Sequence, residues 1–214
     1  MSILVCAATA FEIEPTLSLI AQNKINEKVT TLVTGVGLTA ATYQLTKHVL
    51  VNRPKLIIQA GIAGSLNADV PLLKTVVVKN DCLGDLGVLE TGQFKNIFDL
   101  GFEEKDKLPW TDGKLLNQHE AILKLANLPI VNAVTVQQIT TEKKLIDHYK
   151  NDLGAQIETM EGAALHFVAL MENIPFIQLR CISNFVGERN KENWKLQESI
   201  RQLNFELQQL LVKL

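Results

Sequence analysis

Five short segments carry residue types that could do chemistry. Glu12 follows an apolar run, with Glu14 two residues on. Gly35-Val36-Gly37-Leu38-Thr39-Ala40 and Gly61-Ile62-Ala63-Gly64-Ser65 are glycine-rich. Ile157-Glu158-Thr159-Met160-Glu161-Gly162-Ala163-Ala164 sets two acids ahead of an apolar stretch. Arg180-Cys181-Ile182-Ser183-Asn184 leads into Phe185-Val186-Gly187-Glu188-Arg189. Carboxylates can move protons or steady positive charge, and the N–H groups of an open turn can hold a ligand. Each segment also has an ordinary reading. An acid at a helix start complements the helix dipole, a glycine-rich turn can be simply tight, and polar residues after a strand can be simply solvated. The first glycine motif fits the G-x-G-x-x-A pattern of dinucleotide sites. The acid such a site needs about 20 positions on is missing, however, and Gln59 and Ala60 stand there. His48, His119, His148 and His166 fall on expected helices at unrelated spacings and read as helix-surface residues. With Cys6, Cys82 and Cys181 far apart, neither a metal site nor a cofactor is expected.

The elements that must position these residues follow from periodicity. Apolar β-type runs occupy 3–7, 28–34, 56–60, 75–79, 130–136 and 176–182, and a short strand precedes the helix at 161. Helical spacing covers 11–22, 38–51, 118–127, 142–152, 161–173 and 194–213. In the fifth of these helices Ala163, Ala164, Phe167, Val168 and Met171 share a face. In the last, Ile200, Leu203, Leu207, Leu210, Leu211 and Leu214 do. Such alternation predicts an α/β fold with a mainly parallel sheet between helices, all in one domain over 1–214. Both glycine turns then lie at C-terminal strand ends, where α/β sheets bind ligands. The stretch 84–117 breaks the rhythm and reads as an irregular excursion.

Composition narrows the classes. At 214 residues and 47% apolar the chain can bury a sizeable core, and a net charge of −2 offers no basic field for nucleic acid or an anionic membrane. No apolar run approaches the roughly 20 residues of a membrane span. The start lacks the basic region of a signal peptide, and the scattered cysteines suit a reducing compartment. The expectation is a cytoplasmic protein.

Taken together, the five segments resemble the nucleoside phosphorylase and nucleosidase superfamily over nearly the whole chain. The specific elements are Met160-Glu161-Gly162-Ala163-Ala164 and Arg180-x-Ile182-Ser183-Asn184. Within it, Ile182-Ser183-Asn184-x-Val186-Gly187-x-Arg189 with Trp194 is most similar to the futalosine hydrolase branch. The resemblance implies a three-layer α/β/α fold around a mostly parallel, mixed sheet, and a homodimer or larger homo-oligomer. It implies hydrolysis of futalosine, a 6-oxopurine nucleoside, to hypoxanthine and dehypoxanthine futalosine in menaquinone biosynthesis. The alternatives are a methylthioadenosine/S-adenosylhomocysteine nucleosidase and a purine nucleoside phosphorylase.

By the same resemblance Glu161, beside Thr159 and Met160, grips the ribose hydroxyls. Glu12 activates water, with Glu14 as fallback. Asn184, next to Ser183, meets purine N7. Gly61, Ile62, Ala63 and Gly64, with Ile139 and Thr140, line the substrate site. Ile62 stands where a serine is often found, so a hydroxyl contact is lost. An amide at 184 suits a 6-oxopurine: its NH₂ can face O6 while its carbonyl accepts from N7–H. Phosphate binding calls for arginines, of which the chain has only Arg53, Arg180, Arg189 and Arg201, and this favours water over phosphate. Arg189 is a candidate partner for the futalosine carboxylate. Trp110 and Trp194 either line the pocket or pack in the core or a subunit interface.

Overall fold

The apolar run Ile3–Ala7 forms strand β1, with every residue buried. It pairs in parallel with β2 (Val29–Val33) on one side and with β3 (Leu56–Ser65) on the other. A strand covered by helices on both faces has no solvated side, so its sequence shows no alternation. The structure, a computed structural model, describes residues 2–22 and 28–214.

Beyond the end of β1, β3 continues into a second set of partners. β10 (Phe176–Phe185) runs parallel to β3 along its length, and β4 (Thr75–Leu83) is antiparallel to β10. β8 (Ile130–Thr135) is parallel to β4, and β9 (Ile157–Thr159) is parallel to β8. β9 returns to the far end of β3 in antiparallel register, Gly64 opposite Glu158. Five strands thus close into a ring, and β1 and β2 extend from it as an open sheet. The ring interior holds Ala63, Val76, Val78, Val131, Ala133, Ile157 and Ile182.

Helices cover both faces, which gives the expected three layers. On one side α1 (Ala10–Ala21), α3 (Glu120–Leu125) and α6 (Leu196–Lys213) bury Ile13, Leu123, Leu203, Leu207 and Leu210. On the other, α2 (Leu38–Asn52) and α5 (Gly162–Met171) bury Ala41, Leu45, Val49, Ala164, Leu165 and Val168. α4 (Lys143–Asn151) packs Tyr149 against Val134 and Val136.

Several expectations need correction. Gly61–Ser65 is not a turn after a strand; it is the outer half of β3, paired with β10 and β9. Likewise β4 runs on to Leu83, and β10 runs to Phe185 with a bulge between Ile182 and Asn184. The stretch 84–117 is only partly irregular. It holds the hairpin β5 (Gly87–Glu90) and β6 (Gln93–Asn96), joined by Thr91 and Gly92 at φ 49° and 82°, the backbone a two-residue hairpin loop requires. It also holds β7 (Leu115–Leu116), paired with β4. Trp110 in this stretch is buried, edge-on to Phe98 and Phe167 at 5.1 and 6.2 Å between ring centroids.

The face expected on α5 is buried only in part: Ala163, Ala164 and Val168 are inside. Phe167 and Met171 are exposed while Leu165, His166 and Ala169 are buried, because the helix is covered nearly all round. His166 is therefore no surface residue. Its Nδ1 lies 2.8 Å from the Leu115 carbonyl, its ring stacks edge-on against Phe176, and burial pushes its pKa down to about 3. His119 precedes the shorter α3 as its cap.

Leu207 is fully buried between α6 and the sheet, whereas Val212 is 75% exposed on the same helix. Leu207→Ala is expected to lower the unfolding free energy by about 2–5 kcal/mol and Val212→Ala by less than about 0.5 kcal/mol. Urea titration checks both, and equal losses would contradict this packing.

Candidate active site

Glu12 reaches the site because α1 starts there. The Thr9 backbone N–H and hydroxyl donate to its Oε2 at 3.0 and 3.1 Å, and the Thr9 side chain accepts from the Glu12 backbone N–H to complete a helix capping box. The Ile62 N–H donates to its Oε1 at 3.2 Å. The helix is anchored from α6, where Asn204 Nδ2 donates to the Glu12 carbonyl and Thr16 Oγ1 donates to Asn204 Oδ1 at 2.6 Å. Glu12 is buried while Glu14 is exposed, which separates the two acids that spacing alone left open.

Glu161 caps α5, and its Oε1 accepts from the Gly37 N–H at 2.9 Å. Gly37 has φ 89°, a backbone glycine adopts freely, and it opens α2. The turn that resembles a dinucleotide motif thus offers this N–H to a glutamate of the same chain. Burial pushes the Glu161 pKa up. Arg180 opposes the shift, and the negative charge of Glu12 adds to it.

Arg180 lies near Glu12 beside Gly61 and acts on Glu161 through its charge. A Cβ on Gly61 would collide with Arg180 Nη1 and sit 3.0 Å from Glu12 Oε1, so only glycine leaves room for the guanidinium beside Glu12. Arg180 is 1% exposed. Its Nε donates to Gln178 Oε1 at 3.1 Å and its Nη2 to Gln59 Oε1 at 2.6 Å. Gln178 Nε2 donates in turn to Asp81 Oδ2, and Thr135 Oγ1 donates to Asp81 Oδ1, both at 2.9 Å. Gln59 Nε2 donates to the Glu161 carbonyl at 3.3 Å. The first N–H groups of α5 close the network: Gly162 donates to Thr159 Oγ1 at 3.2 Å and Ala163 to Thr135 Oγ1 at 2.8 Å. Fully buried, Asp81 is pushed up to about 6 by desolvation, against its hydrogen bonds and Arg180.

Gln59, Asp81, Thr135 and Gln178 were not anticipated. Their signal was present, since each is a polar residue inside or just past an otherwise apolar β-type run. Such residues must find partners when buried, although sequence alone does not say which.

The other expected site residues gather at the outer end of β3. Asn184, half-buried on β10, faces Gly64, and its Nδ2 is 3.5 Å from where a Gly64 Cβ would sit. Ser183 Oγ lies 2.8 Å from Asn184 Oδ1, and Nδ2 donates to the Phe185 carbonyl. Thr140 is buried with its N–H on Glu158 Oε1 at 3.3 Å, Ile139 is 45% exposed, and Met160 is half-buried. Asp85 accepts from the N–H groups of Gln137 and Gln138, bracing the same segment.

Other candidates take a different place. The Ala63 side chain lies in the ring's apolar interior. Both the Thr159 hydroxyl, which supports α5, and the Ser183 hydroxyl, beside Asn184, are engaged with the protein. Arg189 is exposed, its guanidinium 5.7 Å from the Trp194 ring centre, and the half-buried Trp194 donates its indole N–H to the Glu188 carbonyl. Arg53 pairs with Glu172, and Arg201 is exposed. Among the described residues no three His, Cys, Asp or Glu side chains group as metal ligands.

Comparison with known proteins agrees with this fold and order of segments. The sequence pattern of the Phosphorylase superfamily matches residues 10–214, and the chain belongs to that superfamily. The futalosine hydrolase of Streptomyces coelicolor is 28% identical over 148 residues, 69% of this chain and 61% of that protein. The chain thus matches under two thirds of the Streptomyces enzyme's length. The futalosine hydrolase of Thermus thermophilus is 24% identical over 189 residues, 85% of this chain and 80% of that one. Among solved structures, futalosine hydrolase of Helicobacter pylori superposes with TM-score 0.84 at 18% identity, over 100% of this chain and 98% of that one. A methylthioadenosine/S-adenosylhomocysteine nucleosidase from Colwellia psychrerythraea, in complex with adenine, gives 0.80 at 15%, over 100% and 96%.

The pKa of Asp81 makes a stability prediction. An unfolded aspartate titrates near 3.9, and in the folded chain Asp81 does so near 6. The folded state therefore holds a proton that the unfolded state releases. The stability this gives is complete below about pH 4 and is lost as pH rises through about 6, some 3 kcal/mol in all. Urea unfolding of wild type and Asp81→Asn at pH 4 and 7.5 should show the wild type losing ground to the variant by about that amount. A constant gap would contradict it.

Proposed function

We propose that the chain hydrolyses the N-ribosyl bond of a 6-oxopurine nucleoside, with futalosine as substrate and hypoxanthine and dehypoxanthine futalosine as products, in menaquinone biosynthesis. The observation that carries the reading is the pair of buried glutamates, Glu12 and Glu161, with the buried Arg180 nearby. Cleavage of such a bond builds positive charge on the sugar and negative charge on the leaving purine. Glu161 receives the ribose hydroxyls and steadies the cationic ring. Glu12, held by Ile62 and Thr9, orients water and takes its proton. The charge of Arg180 opposes the rise that burial imposes on Glu161. Asn184 meets the leaving base, its carbonyl on N7–H and its NH₂ towards O6.

Water is the better nucleophile here. Arg180 is the arginine near the two glutamates, two of its nitrogens are committed to Gln59 and Gln178, and the carboxylates nearby would repel phosphate. The named relatives support the substrate choice, since two share futalosine hydrolase as their name at 24–28% identity. The second reading, a methylthioadenosine/S-adenosylhomocysteine nucleosidase, has the adenine-bound structural neighbour in its favour. Asn184 speaks against it at the moment of cleavage: with its carbonyl on N7–H, its NH₂ would face the 6-amino group donor to donor, which costs about 1–3 kcal/mol. Arg189 would meet the futalosine carboxylate by lifting off Trp194. Exposed apolar side chains on and beside α2 and α5, among them Val36, Tyr43, Leu50, Phe167 and Met171, suit pairing with a second copy. Three buried, unpaired cysteines suit the cytoplasm.

Of futalosine, inosine and methylthioadenosine, each incubated with and without phosphate, futalosine and inosine should release hypoxanthine at the same rate in both conditions, and methylthioadenosine should release little adenine. Adenine release alone would overturn the base assignment, and strict phosphate dependence the hydrolysis. Glu12→Gln should lower kcat by about 10²–10⁴-fold. Because burial raises the pKa of Glu161 and its anion is the working form, kcat/KM should fall on the acid side at a pH above the ordinary glutamate value of about 4.3. An acid limb at or below that value would remove Glu161 from the role.

A further inference from the structure

Asn204 lies in the middle of α6, 1% exposed, and every hydrogen-bonding group of its amide is used. Nδ2 donates to the Ile200 carbonyl and to the Glu12 carbonyl, both at 2.8 Å. Oδ1 accepts from the Thr16 N–H at 3.2 Å and from the Thr16 hydroxyl at 2.6 Å. A side-chain amide has two donor hydrogens and two acceptor lone pairs, so these bonds satisfy it completely.

Two of these partners are a matched pair. In an α-helix the N–H of residue 16 belongs to the carbonyl of residue 12. Asn204 meets both groups of that rung, accepting from the N–H and donating to the carbonyl, as a second peptide unit would. The sequence explains why the helix admits it. Pro15 stands inside α1. It has no N–H to give the Phe11 carbonyl, and its ring crowds that carbonyl. Helices depart from regularity where a proline breaks the ladder or a side chain enters it. Here both act on one turn, the turn that carries Glu12.

A simple tie between α1 and α6 would not need this arrangement. The Thr16 hydroxyl already joins the two helices, and Gln208 Nε2 reaches it at 3.4 Å from the next turn of α6. The bond to the Glu12 carbonyl does something else. It holds the backbone of the residue whose carboxylate Thr9 and Ile62 hold at the other end. We propose that Asn204 is a positioning residue for Glu12, its inserted amide fixing the first turn of α1 and so the place of the carboxylate beside Ile62. The consequence for turnover rests on the nucleosidase reading, whereas the placement itself does not.

Two variants separate the roles. Asn204→Leu removes the whole amide, and Thr16→Val removes only the hydroxyl that ties the helices; Asn204→Ala carries the same test where leucine does not fit. The Ile62 N–H donates to Glu12 Oε1, so its hydrogen exchange by NMR, scaled to the amides of β1, reports the carboxylate without any turnover. It should quicken by on the order of 10-fold in Asn204→Leu and stay near wild type in Thr16→Val. Equal exchange in the two variants would reduce the amide to a tie and overturn the inference. With a 6-oxopurine nucleoside, Asn204→Leu should lower kcat by roughly 10- to 100-fold with KM little changed. It should lower kcat no further when Glu12→Gln is already present. The same fall in both backgrounds would also overturn the inference. Quickened exchange at Ile62 in Asn204→Leu alone, with a wild type that cleaves no nucleoside, would support the inference while overturning the nucleosidase reading.

Discussion

A single buried guanidinium, held by neutral amides near two buried carboxylates, is the constraint on which the rest of the molecule depends. Taking an arginine and two glutamates out of water costs several kcal/mol per ion unless each is well paired. Arg180 meets that demand with neutral amides on two of its nitrogens, leaving the third to face Glu12 across Gly61. The hydrogen bonds run in a fixed sense, from Arg180 to Gln178 to Asp81, with Thr135 donating to the same acid. Reversing either glutamine would set donor against donor, so the chain fixes the amide orientations as well as the arginine.

The same network sets the start of α5. Its first two N–H groups end on Thr159 and Thr135, so Glu161 enters the site from a helix tied to the ring interior. Gly162 has no room for a side chain, since a Cβ there would collide with Asp81 and Gln178. On the other flank the open end of α2 offers its Gly37 N–H to Glu161, and the capping box of α1 holds Glu12. Each carboxylate is thus fixed by backbone donors before any substrate arrives. Stabilisation of developing charge is effective when the groups need no rearrangement at the moment of reaction.

Much of this was legible in the sequence. The apolar runs gave the strands of the open sheet, and the Met160-Glu161-Gly162 and Ile182-Ser183-Asn184 elements marked residues on which the proposed function rests. What escaped was long-range. Nothing local tells that Gly61–Ser65 continues as strand, because its partners Ile157 and Glu158 lie some 90 residues away. His166 looked like surface because helical spacing reports one apolar face, whereas α5 is covered nearly all round. Gln59, Asp81 and Gln178 looked like interruptions in strands until the ring brought them to Arg180. Glu158 looked like a companion of Glu161, yet strand alternation places it beside Gly64 and Asn184.

That two glutamates and one arginine hold water, and not phosphate, against the sugar is open to direct test. A 6-oxopurine nucleoside is turned over in water labelled with heavy oxygen, at saturating phosphate, and the sugar product is weighed by mass spectrometry. Hydrolysis predicts one labelled oxygen on the anomeric carbon of every product molecule. An unlabelled sugar carrying phosphate at that carbon would contradict it.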